Sequence, residues 1–314
     1  MMRDKISKID NVLDGLMRRL EKCDLCVRAC GVNRLKGEEG ACLYAAEPVV
    51  YSYFDHRGEE PAISGYMGSG TIFFSGCGMK CVYCQNHRFS QSRSGKQVSK
   101  EDLAGMMLKL EEMGCHNINF VSPTQFAPKI LEALRLAYEK GLAIPTVYNT
   151  GGYDSLPLIK TLDGIIDIYL PDMRYSSDLA AEKYSLAPGY ARNNREIVKE
   201  MKRQTGNLIC EEGLAVKGLV IRLLVLPEDI SGTLETLEFI ERELGKDVCL
   251  SVMSQYHPVH KAHSFAPLAR SVTVREYNTV IKKLDELGLS SGWRQPLANS
   301  PNESLLGENF DPNT

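Results

Sequence analysis

From residue 71 onward, short apolar runs alternate with longer stretches in which apolar residues recur every three or four positions. The runs Thr71–Phe74, Asn117–Val121, Pro145–Tyr148, Ile165–Leu170, Leu219–Leu226 and Val248–Met253 read as six strands. Their near-continuous hydrophobicity is that of strands covered on both faces of a parallel sheet. The helical period predicts helices over Ser99–Met113, Phe126–Lys140, Ser155–Leu162, about 178–186 and 192–205, Leu234–Leu244 and Val274–Leu287. Ser99, followed by Glu101 and Asp102, has the chemistry of a helix start, and Gly141 that of a stop.

Strands that alternate with helices and connect by right-handed crossovers curl a parallel sheet into a barrel or part of one. Six repeats are fewer than the eight of a closed barrel. The expected fold is therefore α/β, a partial (β/α)6 TIM-like barrel, with a doubly wound open sheet as the alternative. Upstream, Leu13, Leu16, Met17 and Leu20 recur at helical spacing within residues 1–20. Residues 21–45 form a looped, cysteine-rich module with glycines at 31, 37 and 40, and residues 47–70 read as irregular or short-strand. The tail from Gly288 is rich in Pro, Asn, Ser and Gly and is expected to be irregular. The expected division is residues 1–64 for the N-terminal helix and module, 65–290 for the barrel, and 291–314 for the tail.

Composition narrows the class. Of 314 residues, 43% are hydrophobic and 25% charged, an ordinary globular balance. The net charge of −3 gives no overall basic field, so nucleic acid is not an expected partner. No run of about 18 apolar residues is present, so no transmembrane helix or membrane partner is expected. The N-terminus leads into a charged amphipathic segment instead of an apolar signal, which implies a soluble, cytoplasmic protein.

The ten cysteines change the picture most. Seven fall into two sets with metal-ligand spacing, while Cys115, Cys210 and Cys249 are scattered. Without a secretory signal, the two sets read as metal sites, not disulfides. Cys77, Cys81 and Cys84 stand on a tight loop directly after the first strand. Three thiolates there can hold three irons of a [4Fe–4S] cluster, whose full ligation takes four cysteines, so one iron keeps an open position. Zinc, with His87 as a fourth ligand, is the alternative. Cys23, Cys26, Cys30 and Cys42 form a complete four-ligand set. An auxiliary [4Fe–4S] cluster and a structural zinc ion both suit it.

The stretch Phe74-Ser75-Gly76-Cys77 through Cys84-Gln85-Asn86 resembles the radical S-adenosylmethionine (SAM) superfamily. Its Cys-Val-Tyr-Cys-Gln-Asn ending is similar to the activating enzymes of pyruvate formate-lyase and their relatives with an extra N-terminal cysteine module. The resemblance implies an oxidoreductase in which the open iron binds SAM. One electron from the cluster then splits SAM into methionine and a 5′-deoxyadenosyl radical that abstracts hydrogen. It also implies an electron donor such as flavodoxin or ferredoxin, and a glycyl radical enzyme as a partner.

Barrels of this kind place function at the C-terminal ends of strands, and the resemblance assigns cofactor contacts there. Tyr83 would present its ring to adenine, or else be a core aromatic. Ser122-Pro123-Thr124 stands where the activating enzymes carry Gly-Gly-Glu, so Ser122 and Thr124 are the replacements on offer for the SAM amino group, or an ordinary turn. Asn149 opens a segment similar to the family's Asp-Thr-Asn-Gly. Asp172 and Arg174 look like its Asp-Leu-Lys ending, or a solvated rim. Arg222, inside an apolar strand, would take the methionine carboxylate of SAM or pair with an acid of the chain. His257 would lie near ribose and adenine. His257, His260 and His263 recur every third residue, but Pro258 does not suit a helix presenting them to a metal. The segment Asp55–Pro61 is dense in titratable groups and reads as a solvated loop, with a place at the pocket mouth as the alternative.

Two other functions share these features. An iron–sulfur electron carrier or scaffold would need no strand-end residues. A radical SAM enzyme acting on a small molecule would keep the mechanism and change the substrate.

Overall fold

The computed structural model describes residues 2–297. Its strands are β1 (Val49–His56), β2 (Ser69–Phe74), β3 (Lys96–Gln97), β4 (Ile118–Val121), β5 (Thr146–Thr150), β6 (Ile168–Pro171), β7 (Ile209–Glu211), β8 (Leu214–Leu224), β9 (Cys249–Met253) and β10 (Gly292–Arg294). Its helices are α1 (Met2–Arg18), α2 (Pro61–Ser64), α3 (His87–Ser90), α4 (Lys100–Glu112), α5 (Ala127–Glu139), α6 (Leu156–Thr161), α7 (Asp178–Ser185), α8 (Tyr190–Thr205), α9 (Thr233–Leu244) and α10 (Val274–Leu287). The strands form one sheet in the order β10-β9-β8-β6-β5-β4-β2-β1-β3, with β7 returning antiparallel on β8.

From β2 to β10 every neighbouring pair is parallel, and the strands follow in chain order. A doubly wound sheet reverses its order at a switch point. This one does not, so the crossovers carry the helices to one face and the sheet curls into a partial barrel. The parallel set gains one strand beyond the expected six: Gly292–Arg294 pairs with Leu250–Val252 at the edge. The tail predicted from 291 is thus a strand at its start. The rest of that prediction, beyond 297, lies outside the described residues.

The pleat sorts each strand by face. Ile72, Phe74, Ile118, Phe120, Ile221 and Leu223 join the core under the helices. Val147, Ile168, Leu170, Val220 and Cys249 instead point inward and close around Ala62 and Ile63 of α2, which plugs the base of the barrel. Residues 49–64 therefore belong to the barrel: β1 pairs antiparallel with β2, and α2 fills its floor. Ile9, Leu16 and Leu20 lie in the same core as the barrel helices, and Lys5 pairs with Asp167 at 2.5 Å, so a division at residue 64 does not separate two cores.

Helix α4 starts as its sequence predicts. Ser99 Oγ accepts from the Asp102 N–H at 3.0 Å, and the Asp102 carboxylate accepts from the Ser99 N–H at 3.1 Å. Ser99→Ala is expected to lower stability by about 1 kcal/mol, read as an earlier urea midpoint at unchanged slope. Among the described residues no helix is long and apolar enough to cross a membrane.

Candidate metal centre

The loop that follows β2 is held on both sides. The Ser75 N–H bonds to Val49 O on β1, and the Lys80 and Val82 N–H groups bond to Ser185 O and Tyr184 O at 2.8 and 2.9 Å. Gln91 Nε2 donates to Cys81 O at 2.9 Å. Gly76 sits at φ +81°, and a Cβ there would stand 2.4 Å from Cys42 O, so only glycine fits. The loop brings Cys77, Cys81 and Cys84 to one cavity of about 470 Å³ at the C-terminal ends of the strands.

The thiols have hydroxyl neighbours. Ser185 Oγ donates to Cys81 Sγ at 3.0 Å, and Ser90 Oγ lies 3.2 Å from Cys84 Sγ. Behind Ser185, Tyr175 OH is 2.7 Å from the serine hydroxyl, and Tyr83 OH donates to Tyr175 OH at 2.7 Å. Each hydroxyl has a single proton, so the chain runs one way: Tyr83 to Tyr175 to Ser185 to Cys81. Burial pushes the Cys81 thiol up to about 12 despite the Arg174 charge beside it, and burial raises Cys77 as well. Only a bound metal would strip such thiols of their protons near neutral pH.

The floor of the cavity is ionic. Arg222 donates from Nε and Nη2 to the two Glu60 oxygens at 2.7 Å each, and its Nη2 also reaches Glu59. Nη1 donates to Asn149 Oδ1 at 3.3 Å, while Asn119 Nδ2 and His56 Nδ1 hold the second side of Glu59 at 3.1 and 3.3 Å. Burial alone would raise the Glu59 carboxyl, but the Arg222 charge and the His56 contact outweigh it and hold it down to about 2. The expected solvated loop at 55–60 is thus corrected at its end. Glu59 and Glu60 enter the barrel because Arg222, on an inward position of β8, must be compensated there. Of the two expected partners for Arg222, an acid of the chain is the one these bonds show: two carboxylates engage its guanidinium.

Arg174 differs. Its Nη2 pairs with Asp172 at 2.5 Å, and its buried Nε has no partner. Both residues line the cavity beside the three thiols, with Asn149 and Ser122. Ser122 holds φ +56° at the end of β4, a conformation rare outside glycine. Three of the expected contacts do not line the cavity. Tyr83 is 3% exposed and boxed edge-on by Tyr175 and Tyr256, which suits a buried hydroxyl that ends a hydrogen-bond chain, not a ring open to a ligand. Thr124 turns to Asp154, donating at 2.7 Å. His257 folds back toward Gln255 O at 3.3 Å, leaving Gln255 itself, Ser251 and Met253 on the wall. Ser185 and Tyr175 are not marked by any sequence pattern, whereas Glu59 and Glu60 lie in the titratable segment for which the pocket mouth is the alternative to a solvated loop. The further signal for the acids is the unpaired charge inside the β8 pattern.

Cys23, Cys26, Cys30 and Cys42 face a second, smaller cavity of about 40 Å³, reached also by Thr124 and Cys77. The module docks on the loop after β5, where the Val27 N–H bonds to Tyr153 O and the Ser155 N–H to Leu25 O. Among the described residues no three His, Cys, Asp or Glu side chains converge as a single-ion site.

A chain-ordered parallel half-barrel with a three-cysteine loop at its C-terminal mouth puts the protein in the class of barrel-type α/β folds, whose functional face is that mouth. The sequence profile of the Radical SAM superfamily matches residues 71–240, more than half of the chain. The protein belongs to the radical SAM superfamily. Members bind a [4Fe–4S] cluster and SAM, and their class of chemistry is radical-forming cleavage of SAM with an electron donor. An uncharacterized protein of Methanocaldococcus jannaschii is 28% identical over 278 residues, 86% of this chain and 76% of that protein. Among solved structures, native anSMEcpe with bound AdoMet is 16% identical with a TM-score of 0.47, matching 69% of this chain and 61% of its own. HydG, a maturase of the [FeFe]-hydrogenase, is 15% identical with a TM-score of 0.48, matching 72% of this chain and 52% of its own. The chain thus spans between half and two thirds of those two structures.

Proposed function

We propose that Cys77, Cys81 and Cys84 hold three irons of a [4Fe–4S] cluster and leave the fourth open to SAM. The observation that carries this reading is the convergence of these three thiols, from one loop, on the cavity at the C-terminal mouth of the barrel. Bound there, the cluster supplies one electron for reductive cleavage of SAM and hydrogen abstraction from a substrate. The residues fit that group: Arg174 offers an unpartnered Nε beside the thiols, a donor for the methionine carboxylate. Asp172 orients Arg174, and Ser122 and Asn149 are the remaining polar groups for the amino end. Arg222, neutralised by Glu59 and Glu60, forms the floor beneath them.

The finer reading is an activase that makes a radical on a glycine loop of a partner enzyme, with the electron from a flavodoxin or ferredoxin. Two features support it. The Cys-Val-Tyr-Cys-Gln-Asn ending resembles that of the activating enzymes. The cavity also runs from His56 on β1 and Phe73 on β2 across to Trp293 and Arg294 on the edge strand β10, a width that suits entry of a chain segment.

Anaerobic reconstitution with iron and sulfide, followed by dithionite and SAM, is expected to yield 5′-deoxyadenosine and methionine. A fully reconstituted protein that gives neither, and whose cluster spectrum SAM leaves unchanged, would be an electron carrier or scaffold instead.

A further inference from the structure

The four N-terminal cysteines have no part in the reading above. Their cavity is not walled by the module alone, since Cys77, Ser122 and Gly151 of the barrel complete it. Cys26 Sγ lies 3.3 Å from the place of a Gly78 Cβ, and Cys42 O lies 2.4 Å from that of Gly76. The glycines on either side of Cys77 are thus the points at which two module cysteines press on the loop.

Arg34 is the second observation. It is 1% exposed, the largest fully buried side chain among the described residues. Its two Nη atoms donate to the carbonyls of Gln125 and Ala45, its Nη1 stands 4.0 Å from Cys23 Sγ, and its Nε has no partner. Among the described residues no carboxylate pairs with it. A buried cation without a counter-charge is strongly unfavourable. The anions available in this cavity are the four cysteines, which become thiolates on taking a metal. Arg34 is therefore placed for a loaded, negative site.

The arrangement also speaks to the kind of metal. A four-cysteine zinc site wraps a point, with bonds of about 2.3 Å. Among the described residues no three His, Cys, Asp or Glu side chains stand as a single-ion site, and these thiols line a cavity whose wall the barrel finishes. The Ala41 N–H donates to Cys30 Sγ at 3.4 Å, a bond that steadies this thiol as a ligand.

We propose that Cys23, Cys26, Cys30 and Cys42 bind a second iron–sulfur cluster, with Arg34 as its buried counter-cation, seated against the Cys77 loop. The test uses the full chain reconstituted anaerobically, with iron, sulfide and zinc counted per chain. The triple variant Cys77→Ala/Cys81→Ala/Cys84→Ala is expected to keep roughly four irons and four sulfides and a reducible cluster signal in electron paramagnetic resonance. The double variant Cys23→Ala/Cys26→Ala is expected to lose that signal and keep the other. Arg34→Gln is expected to move the midpoint potential of the retained cluster downward, and Arg34→Lys to restore most of it. One zinc and no iron in the triple variant would overturn the proposal, as would a metal-free triple variant. If the double variant fails to fold, the triple variant decides alone. Failure of the Cys77 reading is distinct, because it would leave the double variant without a cluster.

Discussion

Arg222→Met is expected to lower stability by about 3–5 kcal/mol at pH 7, measured by urea denaturation, because it strands two buried carboxylates. The side chains of Glu59 and Glu60 are only 7% and 4% exposed, and Arg222 is their shared cation. The pH dependence gives the sign. In the native chain Glu59 is held at about 2 against 4.5 when unfolded, so its contribution is fully present above about pH 4.5 and fades as pH falls toward 2. In Arg222→Met the buried Glu59 carboxyl prefers the neutral form, its pKa rises above the unfolded one, and stability falls as pH rises through the carboxyl range. The two proteins should therefore show opposite slopes below neutral pH. Replacing the whole set, with Glu59→Gln and Glu60→Gln added, should recover most of the loss. If Arg222 served mainly to dock a carboxylate of SAM, its replacement would weaken SAM binding while leaving the urea midpoint near its original value.

This cluster also marks where the sequence stops being readable. Strands β2, β4, β5, β6, β8 and β9 are visible as apolar runs because helices and barrel interior cover both faces, while the exposed β3 and β7 are not. The crossover helices are visible because each buries one stripe. Strand β10 is not, since Gly292-Trp293-Arg294 is short, at an edge, and set among turn-forming residues. Strand β1, half-buried near the sheet margin, lies in the stretch that reads as irregular or short-strand, and its length and pairing with β2 are not marked there. The Glu60–Arg222 pair joins residues 162 positions apart. A dense run of charges looks solvated unless that distant partner is known. The three cysteines were legible because their spacing is local, whereas the direction in which Tyr83 or His257 points depends on packing by Tyr175, Tyr256 and Gln255, which no local pattern encodes.

Cys81→Ala is expected to abolish SAM cleavage to background and to lower the iron count of the reconstituted protein, while Ser185→Ala should lose about 10- to 100-fold in cluster retention or activity. The reason for the second effect is the one-way proton order behind the thiol. Removing Ser185 takes the donor from Cys81 Sγ and leaves Tyr175 OH without its acceptor, so a buried hydroxyl is stranded as well. Tyr83→Phe removes only the far end of the chain, and its effect should be smaller than that of Ser185→Ala. This ordering separates two roles for Tyr83. A tyrosine whose ring carries adenine would, on conversion to leucine, raise the KM for SAM with the cluster intact. A tyrosine that ends the hydroxyl chain leaves the KM near its original value and speeds cluster loss, followed as bleaching of the iron–sulfur absorbance under a chelator. A rise in KM with an unchanged bleaching rate in Tyr83→Leu would show that the ring, not the hydroxyl, is what the site uses.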